Sequence, residues 1–116
     1  MLSENKISIN QLAHLIGTPQ APVILDVRID EDFEADPGLI PTARRHSHTE
    51  IGTLASNLQG QIVVVVCQKG LKLSQGAAAI LRIHGIAASF LEGGNLAWRE
   101  TAQPLIPADK IPATSD

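Results

Sequence analysis

A run of β-branched residues, Ile62–Val66, constrains the fold of this chain more than any other feature. Branching at Cβ disfavours a helix and suits a strand. Because the run contains no polar residue, both faces of the strand must be covered, as in a parallel sheet with helices on its two sides. The run ends at Cys67, and a short segment containing Gly70 leads into an apolar helical pattern. Strand, loop and helix in this order predict a parallel α/β unit.

The rest of the chain repeats this alternation. Strands are predicted over residues 7–9, 22–28, 43–47, 61–66 and 86–91, and helices over residues 11–16, 49–57, 74–84 and 96–100. Asn10 is the expected cap of the first helix, and the apolar stripe of the 74–84 helix comprises Ala77, Ile80, Leu81 and His84. We therefore expect an α/β three-layer sandwich, with a mostly parallel central sheet of about five strands flanked by helices.

Length and composition limit the classes of function. At 116 residues we expect one domain, with a core over about residues 7–105 and a C-terminal tail over residues 106–116. A net charge of −3 and an aromatic content of 3% argue against nucleic acid and membrane partners. The single cysteine excludes an internal disulfide and a multi-thiolate metal site. The N-terminal residues lack a signal-peptide pattern, so we expect a cytoplasmic protein. We also expect no cofactor and no metal.

Four ordered motifs resemble those of the rhodanese (sulfurtransferase) domain family. Residues 23–28 and the acidic segment up to Phe33 resemble the family's apolar strand and Asp-x-Arg signature. Residues 38–43 resemble its Gly-His-Ile-Pro-Gly-Ala segment, with Leu39 and Thr42 in place of His and Gly, which we expect to affect surface structure more than chemistry. Residues 63–70 resemble the strand entering the catalytic loop, and residues 90–98 the closing Gly-Gly-x-x-x-Trp segment.

The active-site loop departs from the family pattern. Sulfurtransferase members typically have six residues from the Cys to a loop-ending Arg, whereas here seven residues, 67–73, precede Ser74. Seven-residue loops are associated with phosphatase relatives and with a few atypical rhodaneses. In this chain Leu73 replaces the loop-ending Arg of the phosphatase relatives, and Lys72 lies one position earlier.

The resemblance implies that Cys67 is the nucleophile. It would receive a sulfane sulfur from thiosulfate or a similar small anionic donor, and pass it from a persulfide to an external thiol, a protein acceptor or cyanide. A helix N-terminus and nearby lysines favour the thiolate form, and backbone amides of the loop are suited to bind the donor anion. The predicted substrate-binding residues are Gln68, Lys69, Gly70, Leu71, Lys72 and Leu73, and the predicted structural supports are Asp26, Arg28 and Ser74.

Two other functions fit the sequence. A Cys-dependent phosphatase or arsenate reductase would use the longer loop for a tetrahedral oxyanion, although the missing Arg argues against it. A binding or sensing module, or a persulfide carrier without turnover, is the second alternative, since the chain contains no second thiol. Turnover with thiosulfate separates an enzyme from a carrier.

Overall fold

The computed structural model describes residues 5–110, and a five-stranded sheet in the order β1-β5-β4-β2-β3 forms its centre. Each neighbouring pair of strands is parallel. The strands are β1 (Lys6–Ile7), β2 (Val23–Asp26), β3 (Arg44–Arg45), β4 (Ile62–Val66) and β5 (Ala87–Leu91). The predicted α/β class with a mostly parallel sheet is therefore confirmed.

Helices cover both faces of this sheet. They are α1 (Ile9–Leu15), α2 (Asp30–Ala35), α3 (Ile51–Leu54), α4 (Lys72–Ile83) and α5 (Gly94–Glu100), with 3₁₀ turns at His48–Glu50, Ala55–Leu58 and Ala108–Lys110. One apolar cluster joins Leu12 of α1 and Trp98 of α5 to one face of the sheet. A second cluster joins α3 and α4 to the other face. The predicted three-layer arrangement follows from these two clusters.

Strand β4 lies at the middle of the sheet, between β5 and β2. Its four valines are almost completely buried, alternating between the two apolar clusters. Only Ile62, at the start of the strand, is exposed. An unbroken apolar run is thus explained by helices that cover the strand on both faces.

The start of α1 differs from the sequence prediction. Ser8, and not Asn10, caps the helix, because Ser8 Oγ accepts a hydrogen bond from the amide of Gln11 while Gln11 Oε1 accepts one from the amide of Ser8. This reciprocal capping box satisfies two N–H groups at once. The strand predicted over residues 7–9 therefore ends at Ile7.

The buried face of α4 also differs. The helix begins at Lys72, two residues before the predicted start, and its fully buried residues are Ser74, Ala77, Ala78 and Leu81. Ile80 is 40% exposed and His84 is exposed, so neither belongs to the buried stripe. Small side chains at the buried positions let the helix lie close to the sheet. This close packing stabilises the helix in its position more than burial of the larger Ile80 side chain would.

The segment that contains Leu39 is internal. Leu39 is buried and forms an isolated antiparallel bridge with Ile106, with hydrogen bonds in both directions. The replacement of the family's usual His at this position thus affects a packed internal segment and not only the surface. The last residues of the predicted tail, 111–116, lie outside the described residues. Across residues 5–110, no helix combines the length and apolarity needed to cross a bilayer.

Candidate active site around Cys67

Cys67 directly follows β4 and lies at the carboxyl edge of the sheet. The end of β4 is held in place there, because the amide of Val27 donates to the carbonyl of Val66 at 2.9 Å. The thiol is only 5% exposed, and its Sγ lies 3.0 Å from Ser74 Oγ. Ser74 itself is completely buried in the first turn of α4. In open α/β sheets, ligands bind at this edge, outside the carboxyl ends of the strands.

The loop that follows Cys67 carries a run of unpaired amides. Within residues 5–110, no backbone carbonyl or side chain accepts a hydrogen bond from the N–H groups of residues 68–74. The last of these residues belong to the first turn of α4, where such groups have no partner inside the helix. Successive free amides at a helix N-terminus suit an anion. The loop that follows the thiol therefore has the backbone groups that an anion-binding site needs.

The N-terminus of α5 holds the loop from below. The amides of Asn95 and Leu96 donate to the carbonyls of Cys67 and Gln68, each at 2.9 Å. This close approach requires glycine at two positions with positive φ. A Cβ on Gly70 would lie 2.6 Å from the carbonyl oxygen of Leu91, and a Cβ on Gly94 would collide with the carbonyl of Cys67. The two glycines thus let the backbones of loop and helix touch.

Arg28 joins three segments beneath the site. Its buried guanidinium pairs with Asp26 through Nε and Nη2, with an Nη2–Oδ2 distance of 2.8 Å. The remaining N–H groups donate to the carbonyls of Asp36 and Gly38 and to Gln68 Oε1. All five guanidinium N–H groups are therefore used inside the protein, and none is left for a substrate anion. Arg28 makes the contacts to the loop. Among the described residues, the Asp26 carboxylate accepts hydrogen bonds only from the backbone amide and side chain of Arg28.

A contact that the sequence did not indicate involves Asp36. Its carboxylate accepts hydrogen bonds from Gln68 Nε2 at 2.8 Å and from Arg99 Nε at 3.0 Å. Burial alone would raise the pKa of Asp36, but the hydrogen bonds from Gln68 and Arg99, the charge of Arg99 and the Asn95 amide together hold the pKa below its usual 3.8. Nothing in the local sequence marks Asp36, since it lies in a connection between two motifs.

The predicted site residues fall into an inner and an outer group. Gln68 turns its side chain toward Asp36 and Arg28, and Gly70 is buried where the loop meets the start of α5. Lys69, Leu71 and Lys72 are exposed. Leu73 is partly buried and packs against the apolar cluster on the α4 side of the sheet. The position that carries a loop-ending Arg in the phosphatase relatives is thus directed into the core.

The described residues contain no group of three His, Cys, Asp or Glu side chains that is placed to hold a metal ion. The polar groups that this region offers are the thiol, the hydroxyl of Ser74, the loop amides and the two exposed lysines.

Comparisons with known proteins agree with the fold described above. A rhodanese homolog from Thermus thermophilus is 31% identical, with 78% of this chain and 96% of that one covered and a TM-score of 0.62. A thiosulfate sulfurtransferase from Pseudomonas aeruginosa is 22% identical with a TM-score of 0.76; the match covers 94% of this chain but 20% of that one.

A third similar structure comes from Rhodopseudomonas palustris. It is a protein of unknown function described as a possible tyrosine phosphatase, 23% identical, with 87% of this chain and 83% of that one covered and a TM-score of 0.76. A search of curated proteins finds no match. The family model of the rhodanese-like domain matches residues 8–101, and the chain therefore belongs to the rhodanese-like domain family.

Proposed function

We propose that this protein is a sulfurtransferase that carries a sulfane sulfur on Cys67. The observation that supports this most is the buried thiol at the start of a loop whose amides, residues 68–74, have no acceptor within the described chain. A persulfide is an anion with a terminal sulfur, and amide N–H groups stabilise such a charge without a metal. The membership in the rhodanese-like family supports the same reaction class.

The reaction has two steps at one sulfur atom. The Cys67 thiolate attacks the outer sulfur of thiosulfate, the S–S bond of the donor breaks, and its electron pair leaves with sulfite. The new S–S bond is the Cys67 persulfide. An acceptor thiolate then attacks the outer sulfur, becomes a persulfide itself, and releases Cys67 as the thiolate. Neither step needs an external oxidant or reductant.

Ser74 and the exposed lysines have separate roles in this proposal. In the thiol form, the Cys67 S–H donates to Ser74 Oγ, and the serine hydroxyl donates to the carbonyl of Leu71 at 3.4 Å. In the thiolate form, the hydroxyl rotates and donates to Sγ instead, since Sγ then has no proton. Lys69 and Lys72 attract the sulfonate-like end of the donor as point charges.

The geometry favours sulfur transfer over phosphate chemistry. A phosphatase needs a guanidinium that binds two oxyanion oxygens at once. Leu73 supplies none, and Arg28 has used all of its donors on protein groups. We therefore expect no hydrolysis of a phosphate monoester by the wild-type protein.

Intact mass measurement after incubation with thiosulfate tests the proposal. The wild type should gain one sulfur atom, cyanide should remove it, and Cys67→Ser, a near-isosteric control, should gain none. A wild type that stays at its original mass would refute a thiosulfate donor. Hydrolysis of p-nitrophenyl phosphate by the wild type, absent from Cys67→Ser, would favour the phosphatase alternative.

A persulfide carrier is the second candidate, because the chain has one cysteine and no resolving thiol of its own. Any sulfur on Cys67 must leave to an acceptor outside this chain. A persulfide that forms once but does not turn over with cyanide or a small thiol, and yet passes to a protein thiol, would favour the carrier.

A further inference from the structure

The side chain directly after the nucleophile is held at both ends. Gln68 Nε2 donates to Asp36 Oδ2 at 2.8 Å, and Gln68 Oε1 accepts from Arg28 Nη1 at 3.0 Å. The Gln68 amide therefore cannot rotate without breaking a hydrogen bond to a charged group. This fixes the backbone of the residue that begins the loop.

The carboxylate of Asp36 also reaches the helix under the loop. Its Oδ1 pairs with Arg99 Nε at 3.0 Å, and Asn95 Nδ2 lies 3.5 Å from its Oδ2. Both partners belong to α5, whose first amides hold the carbonyls of Cys67 and Gln68. One carboxylate thus contacts both the Gln68 side chain and α5, the helix whose first amides hold the carbonyls of Cys67 and Gln68.

The contacts at position 36 require a carboxylate. The donors of Gln68, Arg99 and Asn95 converge on it, and two oxygens with about four lone-pair directions can accept from all of them. A neutral amide of the same shape accepts through one oxygen only. The side chain of Asp36 is 14% exposed, so water replaces a lost acceptor poorly.

We propose that Asp36 is the positioning residue of the active-site loop, holding Gln68 and α5 so that the peptide between Cys67 and Gln68 keeps one orientation. That orientation sets the direction of the first loop amide relative to Sγ. The expected effect of Asp36 on sulfur transfer rests on the proposed function. Its expected effect on the reactivity of the Cys67 thiol does not.

A reciprocal exchange of the pair tests this role. In Asp36→Asn, the new amide oxygen can still accept from Arg99, but the new amide nitrogen faces Gln68 Nε2, donor against donor. In Gln68→Glu, the new carboxylate still accepts from Arg28 but faces Asp36. The double variant again places a donor opposite an acceptor and has the same net charge as the wild type.

Two readouts are measured on each protein, together with a urea midpoint that verifies folding. We expect each single variant to slow iodoacetamide alkylation of Cys67 about tenfold, and the double variant to return to within about threefold of the wild type. In sulfur transfer, kcat should follow the same pattern while the KM for thiosulfate changes little. Single variants that react like the wild type, or a double variant as slow as the slower single, would overturn the proposal.

Asp30→Asn is the matched control, since Asp30 also pairs with an arginine but its side chain is 85% exposed. It should react at the wild-type rate. A wild type that forms no persulfide from thiosulfate, while the alkylation rates follow the expected pattern, would refute the proposed donor and leave the role of Asp36 supported.

Discussion

At the scale of the residue, the reactivity that we propose for Cys67 depends on one hydroxyl and a set of loop amides. Ser74 Oγ lies 3.0 Å from the sulfur and is fully buried, so water does not compete for this contact. The amides of residues 68–74, in the loop that follows, have no acceptor among residues 5–110. We therefore expect neutral dipoles to stabilise the negative charge of a persulfide at this position.

Replacing Ser74 by Ala should lower reactivity without unfolding the protein. The thiolate loses its only side-chain hydrogen-bond partner among the described residues, and alkylation by iodoacetamide at neutral pH should slow about tenfold. The matched control is Ser56→Ala, which removes an exposed hydroxyl elsewhere. Equal alkylation rates for Ser74→Ala and the wild type would show that this serine does not contribute to the reactivity of Cys67.

The carboxyl of Asp36 should make part of the stability depend on pH. Its partners lower the folded pKa below the usual 3.8, so its contribution is complete above that value and is lost as the pH falls through the folded pKa. The wild type should be more resistant to urea than Asp36→Asn near pH 7, and the difference should shrink by about pH 3. If the difference in urea resistance between the two proteins stayed constant over this range, it would come from the shape of the side chain and not from its charge.

At the scale of the element, the contact between the loop and α5 is limited by backbone approach. The loop and the helix meet where Gly70 and Gly94 both have positive φ and no side chain. Two hydrogen bonds from the α5 amides cross this contact. Two backbone hydrogen bonds and the lack of side chains at both glycines thus place α5 directly against the loop that follows Cys67.

A methyl group at Gly94 should separate the two elements. Gly94→Ala adds a Cβ that collides with the carbonyl of Cys67 and lies 2.6 Å from the amide nitrogen of Gly70, at a φ of +65°. We expect a loss of about 2–4 kcal/mol in the free energy of unfolding, together with slower alkylation of Cys67. Urea unfolding measures the first quantity.

Gly76→Ala is the matched control for this substitution. Gly76 lies inside α4, and nothing is within 4 Å of its added Cβ. Alanine there should raise the free energy of unfolding by about 0.5–1 kcal/mol, because glycine is a poor helix former. If Gly94→Ala were as stable as Gly76→Ala, the close contact between loop and helix would be disproved.

At the scale of the whole molecule, Arg28 connects distant parts of the chain around one buried charge pair. Its partners lie at the end of β2, in the connection at residues 36–38 and in the active-site loop. The side chains of Arg28 and Asp26 are 0% and 2% exposed. Loss of either partner would leave the other charge buried without compensation.

Arg28→Met should destabilise the protein by about 3–5 kcal/mol, because Asp26 remains as an unpaired buried carboxylate. Asp30→Asn, which removes an exposed partner of Arg45, should change stability by less than about 0.5 kcal/mol. Urea unfolding at neutral pH compares the two variants. Similar stabilities would show that the Arg28 hydrogen bonds contribute little net energy.

Local patterns of the sequence were enough for the architecture and for the position of the thiol. The apolar run of β4 predicted helices on both faces of the strand, and it ends at Cys67 at the carboxyl edge of the sheet. Local patterns failed where two features competed for one role. Both Ser8 and Asn10 are suitable caps, and both sides of α4 carry apolar residues, so periodicity alone did not separate the alternatives.

The sequence by itself determined the α/β class, the central strand and the placement of Cys67, because these depend on neighbouring residues and on the geometry of parallel strands. Only the tertiary structure decided that Arg28 has no donor left for a substrate, that Leu73 packs inward, and that Asp36 binds Gln68. Asp36 and Gln68 are 32 positions apart. Contacts of this kind depend on how whole elements pack, and no local pattern of residues specifies them.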